Sequence, residues 1–88
     1  MKFEYDIKKS LSNKQKHGIN FEEANLLWND DKMVEIRTSY EDEDEERFII
    51  IGKITVKMYA VVTTYRKENI RIISARRAIK KEIEIYES

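Results

Sequence analysis

Apolar and charged residues alternate at the start of the chain. Phe3 and Tyr5 interleave with Lys2 and Glu4, the two-residue period of a short strand. Asp6 offers a cap for a helix over Ile7–His17, and Gly18 stands where helices commonly stop in a left-handed conformation. A second helix is better punctuated: Asn20 sits at the N-cap, Glu23 at the position that completes a capping box, and Ile19 and Ala24 are spaced as a hydrophobic staple. Phe21, Ala24 and Trp28 recur at helical spacing and are expected to face a sheet. Met33–Arg37 reads as a strand, and Ser39–Glu46, polar and strongly acidic, as a solvated loop. Phe48–Ile51 and Met58–Tyr65 form the β-rich centre, joined by a turn somewhere between Gly52 and Lys57. Lys67-Glu68-Asn69 turns the chain into a strand over Ile70–Ser74. Ser74 is placed to cap a last helix, along which Ala75, Ala78, Ile79, Glu82, Ile83 and Tyr86 line one broad stripe.

The resulting order, β-α-α-β-β-β-β-α, predicts an α+β fold: an antiparallel sheet of four to five strands with two N-terminal helices and one C-terminal helix. At 88 residues there is material for one domain spanning 1–88 and little for a second core. The register of the central hairpin has two solutions. A tight turn at Gly52-Lys53 sets Arg47 opposite Met58 and far from Arg66. A wider turn near Thr55 sets Arg47 opposite Thr63 and brings the two arginines together. The wider turn matches the β-branched residues from Val61 onward to the Phe48–Ile51 strand.

Charged residues make up 39% of the chain against 41% hydrophobic, so a compact core must carry an unusually charged shell. The chain has no cysteine and one histidine, and its acidic run lacks coordinating spacing, so neither a metal nor a cofactor is expected. The longest uncharged stretch, Met58–Tyr65, is far too short to span a bilayer, and no signal-peptide pattern opens the chain. No membrane partner and a cytoplasmic location are therefore expected. The net charge of zero conceals an asymmetry: with the six acids Glu41–Glu46 set aside, the rest of the chain carries +6. Between Arg66 and Lys81, seven basic residues face Glu68 alone. Phosphate contacts depend on a local patch rather than a total, and such a patch suits nucleic acid.

Four blocks then combine in order and spacing. They are Phe3-Glu4-Tyr5-Asp6 with Lys9 and Asn13; Lys16-His17-Gly18-Ile19 with Phe21-Glu22-Glu23-Ala24; Glu45-Glu46-Arg47 ahead of Ile51-Gly52; and Tyr65-Arg66 followed by Arg71-Ile72-Ile73-Ser74-Ala75-Arg76-Arg77-Ala78, with Glu82 and Tyr86. In this arrangement the chain resembles the BrnT family of toxins from type II toxin–antitoxin systems, apart from Tyr5, where the family often has tryptophan. The resemblance implies a small RelE-like domain, metal-independent cleavage of RNA and inhibition of translation. It also implies a cognate antitoxin, BrnA-like with a DNA-binding domain, so that operator DNA is reached only through the complex.

Cleavage without a metal requires activating a ribose 2′-hydroxyl, stabilising a crowded phosphate and protonating the leaving oxygen, and fixed cations supply most of the middle task. Arginine suits that task, because it is always charged and its planar fork matches phosphate oxygens. The candidate catalytic residues are His17, Glu46, Arg47, Arg66 and Arg76, with Lys16, Tyr65, Arg71 and Arg77 as RNA-binding residues. His17 has the ordinary pKa best suited to proton transfer near neutrality, Glu46 is a candidate base, and Tyr65 a stacking group or proton donor. Arg76 and Arg77 are expected in the first turn of the last helix, where free N–H groups add to two guanidiniums as a phosphate site. Each assignment has a structural competitor: Arg76 and Arg77 pairing with acids, Arg47 neutralising the acidic run, His17 capping its helix, and Tyr65 and Trp28 packing as aromatics. The acidic run itself reads as solvated loop, as a lid over the basic face, or as a contact for a basic antitoxin segment. The competing functional reading is a non-catalytic nucleic-acid-binding or regulatory module acting with a DNA-binding partner; a purely protein-binding subunit is a third.

Overall fold

The computed structural model of the chain describes residues 2–42 and 45–88, side chains included except at positions 39–42. Strand β1 (Lys2–Glu4) leads into helix α1 (Ile7–His17) and a short helix α2 (Phe21–Ala24), which tightens into a 3₁₀ turn over Asn25–Asn29. Strands β2 (Val34–Asp42), β3 (Glu45–Ile54), β4 (Lys57–Arg66) and β5 (Asn69–Arg77) follow, and helix α3 (Lys80–Glu87) ends the chain. The sheet has the order β1-β5-β4-β3-β2. This is the expected α+β architecture with five strands and three helices, but the sheet is mixed, because β1 runs parallel to β5 through Phe3↔Ile70 and Glu4↔Arg71.

The N-terminal helices form where the sequence punctuates them. Asp6 accepts from the N–H groups of Lys8 and Lys9 at 2.8 and 3.1 Å. Gly18, at φ +77°, returns its N–H to the Lys14 carbonyl. Asn20 and Glu23 close a reciprocal capping box with bonds of 2.7 and 2.8 Å. The inner face of α1 is polar: Ser10 and Asn13 are buried, while Ile7 and Leu11 point to solvent. Below its pairing with β1, the outer edge of β5 needs backbone partners, and Asn13 supplies them. Its amide donates to the carbonyls of Ala75 and Ile19, both at 2.8 Å, and accepts from the Ala75 N–H at 3.3 Å.

Successive strand residues face opposite sides of the sheet. One side carries Ile50, Val61, Ile72 and Ala75, packed against Ile19, Phe21, Ala24 and Leu27. The other carries Ile51 and Ala60, paired across β3 and β4 and fully buried. Arg76 stands beside Ala60 on β5 and grips Glu82 of α3, which fixes α3 on that second side.

Two expectations are corrected. The last helix does not start at Ser74. Ser74, Ala75, Arg76 and Arg77 continue β5, paired with Val62, Val61, Ala60 and Tyr59; the ten-residue β4 offers a ladder that far, and burial of Ala75 reinforces it. Helix α3 begins six residues later, after Ile79, whose N–H is accepted by Glu82 at 2.9 Å. The stretch Ser39–Glu46 is likewise not simply a loop. β2 continues to Asp42 and β3 begins at Glu45, with Glu41↔Glu46 and Asp42↔Glu45 in register beyond an irregularity after Arg37; Glu43 and Asp44 lie outside the described residues. The β3–β4 hairpin takes the wider turn. Ile54 pairs with Lys57, Thr55 has φ +56°, and Phe48 lies opposite Thr63. Arg47 therefore stands beside Thr64, one position beyond the expected Thr63.

Candidate functional site

Ladder register gathers three arginines. On the face shared with α3, Arg47 of β3 flanks Thr64 of β4, and Thr64 pairs with Arg71 of β5. Arg66 projects from the same face two residues on, and Glu45 precedes Arg47 by two. Glu45 receives Arg66 as a fork: Nε and Nη2 each lie 3.2 Å from a separate carboxylate oxygen. This hydrogen bond, followed by the charges of Arg66, Arg47 and Arg71, holds the Glu45 carboxyl below its ordinary range despite some desolvation. Arg71 also meets Glu4, its ladder neighbour on β1, at 3.5 Å. Thr64, buried between the arginines, donates to the Glu46 carbonyl at 2.7 Å.

The Arg66–Glu45 pair is open to water, whereas the Arg71–Glu4 pair is half-buried. Arg66 and Glu45 side chains are 50% and 41% exposed, and exposed ion pairs contribute only about 0–1 kcal/mol. A phosphodiester meets little resistance in replacing the Glu45 carboxylate, and its oxygens match the same fork.

The remaining sequence candidates fall elsewhere. Arg76 shares the face but lies four residues back along β4, about 13 Å away at ordinary strand rise. Its guanidinium is taken by Glu82 through two bonds of 2.8 Å. Because α3 starts at Lys80, neither Arg76 nor Arg77 sits in a helical first turn, and the expected helix-end phosphate site is absent. Arg77 is on the opposite face, its guanidinium 5.8 Å from the Tyr59 ring centre. Glu46 also faces that side and pairs with Arg37 at 2.9 Å. Tyr65 points the same way, stacks edge-on against Phe48 at 5.2 Å and donates its hydroxyl to Glu35. Burial, then that bond to a carboxylate, pushes the Tyr65 phenol up to about 12. Lys16 and His17, at the end of α1, line a shallow cleft of about 250 Å³ with Lys9, Ser12, Asn13, Phe21, Ile73 and Ser74. None of Arg47, Arg66 or Arg71 lines that cleft.

Glu45 is the residue that sequence reasoning passed over. The available signal was the strand period itself: once Arg47 is on a strand, Glu45 shares its face and Glu46 does not. Among the described residues no three His, Cys, Asp or Glu side chains come together as a metal site would require. No helix among the described residues is long and apolar enough to cross a membrane.

Residues 5–82 match the model of a family described as "Ribonuclease toxin, BrnT, of type II toxin-antitoxin system". No curated protein matches the chain.

Proposed function

Since the chain belongs to the BrnT family of ribonuclease toxins of type II toxin–antitoxin systems, we propose that it cleaves RNA without a metal ion, inhibits translation by doing so, and is neutralised by a cognate antitoxin. The observation that carries this reading is the convergence of Arg47, Arg66 and Arg71 around one exposed carboxylate on a single sheet face. Three guanidiniums there can hold a scissile phosphodiester and offset the charge that builds on its oxygens as the 2′-hydroxyl attacks. Lys9 and Lys16 extend positive charge along α1 for further contacts to the RNA backbone. The natural partner is a BrnA-like antitoxin with a DNA-binding domain, so operator DNA is engaged through the complex, in the cytoplasm.

The test uses purified protein and RNA in excess EDTA, together with expression in cells. The parent is expected to cut RNA and arrest growth, and the neighbouring antitoxin frame to rescue it. Arg66→Ala should lower kcat/KM by about 10²–10³-fold, the effect of losing one donor to a developing oxyanion. Intact RNA after prolonged incubation with folded parent, or full toxicity of Arg66→Ala, overturns the proposal. A second reading, binding without cleavage, is favoured by one observation: His17 lines a separate cleft from the arginines. Salt-sensitive binding with uncut RNA would establish it instead.

A further inference from the structure

The groups able to move a proton divide sharply between the two sides of the sheet. Glu46 lies across the sheet from the arginine cluster and is bonded to Arg37. Tyr65 is on that same far side, with its proton committed to Glu35. His17 belongs to the α1 cleft. Of these four only Glu45 sits within the cluster, in direct contact with Arg66 and within the field of Arg47 and Arg71. Glu4, the other carboxylate beside these arginines, meets Arg71 at 3.5 Å in a half-buried pair, whereas the Arg66–Glu45 pair is the one open to substrate.

We propose that Glu45, rather than Glu46, is the general base for RNA cleavage, taking the 2′-hydroxyl proton while Arg47, Arg66 and Arg71 hold the adjacent phosphate. The inference rests on the ribonuclease reading above and assigns a residue to it. Incoming phosphate replaces Glu45 in the Arg66 fork and leaves the carboxylate beside it, unpaired and next to the ribose. Glu45 accepts the 2′ proton, and the 2′ oxygen bonds to phosphorus. The P–O5′ bond breaks with its electron pair going to the 5′ oxygen, which takes a proton from solvent. The products are a 2′,3′-cyclic phosphate and a 5′-hydroxyl, and Glu45 returns its proton to water. The neighbouring arginines hold the carboxyl below its ordinary range, so the free enzyme presents it ionised from mildly acidic pH upward. The same arginines make it a weak base until phosphate draws their charge away.

The experiment compares Glu45→Gln, Glu45→Asp and Glu46→Gln in the full chain, with folding checked by circular dichroism. Single-turnover cleavage of a defined RNA in EDTA is measured beside the affinity for a 2′-O-methyl version of that RNA, which binds without reacting. Glu45→Gln should slow cleavage by at least about 10²-fold, the usual contribution of a positioned base. It should bind the inert RNA as tightly as the parent or a few-fold more tightly, because a competitor for Arg66 has been removed. Glu45→Asp should recover part of the rate, and the Glu45→Gln loss should exceed that of Glu46→Gln at least ten-fold. Parental or faster cleavage by Glu45→Gln overturns the assignment, and so does a loss of affinity parallel to the loss of rate that Glu45→Asp does not relieve. If the parent itself leaves the RNA intact, it is the ribonuclease reading that has failed.

Discussion

Replacing Arg76 by alanine tests what the structure makes of this arginine. Its guanidinium places two bonds of 2.8 Å on a Glu82 that is only 8% exposed. Hydrogen bonds to charged groups contribute roughly 1.5–3 kcal/mol each where water is excluded. The Arg76 side chain remains 36% exposed, so solvent returns part of that on truncation. A net loss of about 2 kcal/mol follows, which for a domain of this size lowers Tm by roughly 10 °C. The loss reaches α3 directly, because the same carboxylate accepts the Ile79 N–H that opens the helix.

The pH dependence fixes the cause. The Arg76 hydrogen bond, against the opposing pull of burial, holds the Glu82 carboxyl below its ordinary value of 4.5. A depressed carboxylate contributes stability that is complete above that ordinary value and disappears as pH falls through the lower folded value. Parent and Arg76→Ala should therefore differ by the full amount at pH 7 and converge on acidification below about 4.5. Glu82→Gln should mirror Arg76→Ala, and the double variant should fall short of the sum. Thermal melts by circular dichroism at pH 7 and pH 3 suffice. A Tm within 2 °C of the parent for Arg76→Ala at pH 7, or a gap undiminished at pH 3, refutes the reasoning.

Two further outcomes follow from buried polar groups. Asn13→Ala strips partners from the Ala75 N–H and from the carbonyls of Ala75 and Ile19; it should cost about 2–4 kcal/mol in urea unfolding, since each orphaned buried group costs roughly 1–3 kcal/mol before relaxation, and a midpoint equal to the parent's would show the suture to be dispensable. Thr63→Val should stabilise by about 1 kcal/mol, because the fully buried Thr63 hydroxyl finds no partner among the described residues and valine keeps the shape; a lower urea midpoint would count against it.

Much of the fold was legible because it depends on local chemistry. Asp6, Gly18 and the Asn20–Glu23 box signal their helix ends by side-chain type alone. What the sequence hid was non-local. Ser74-Ala75-Arg76-Arg77 has reasonable helical character, and only the availability of β4 as a ladder partner draws it into a strand. The acids from Glu41 to Glu46 suggest a solvated loop by composition, yet backbone pairing with neighbours beyond the hairpin carries strand into both ends of the run. The buried inner face of α1 also broke the usual pattern: Ser10 and Asn13 turn inward because the β5 edge and the Phe21 N–H need hydrogen-bond partners there, not hydrocarbon. At the candidate site, the sequence supplied Arg47, Arg66 and Arg71 as separate residues, and only the register of β3, β4 and β5 placed them on one face and Arg77, Tyr65 and Glu46 on the other.

That register also bears on how a chain of zero net charge can present three arginines together on one sheet face. Alternation along the strands sets Glu45 beside Arg66 and Glu4 beside Arg71 on the face that carries the cluster. In the absence of a ligand Arg66 and Arg71 are each paired from within, Arg66 by a carboxylate exposed enough to exchange. On the proposed reading, binding RNA exchanges an exposed carboxylate for a phosphate at the same fork, so little is gained from net attraction at that point. Selectivity then rests on what a carboxylate cannot supply: a tetrahedral group touching three guanidiniums at once, with a 2′-hydroxyl held beside it. Polyanions that lack this geometry offer Arg66 no more than Glu45 already does.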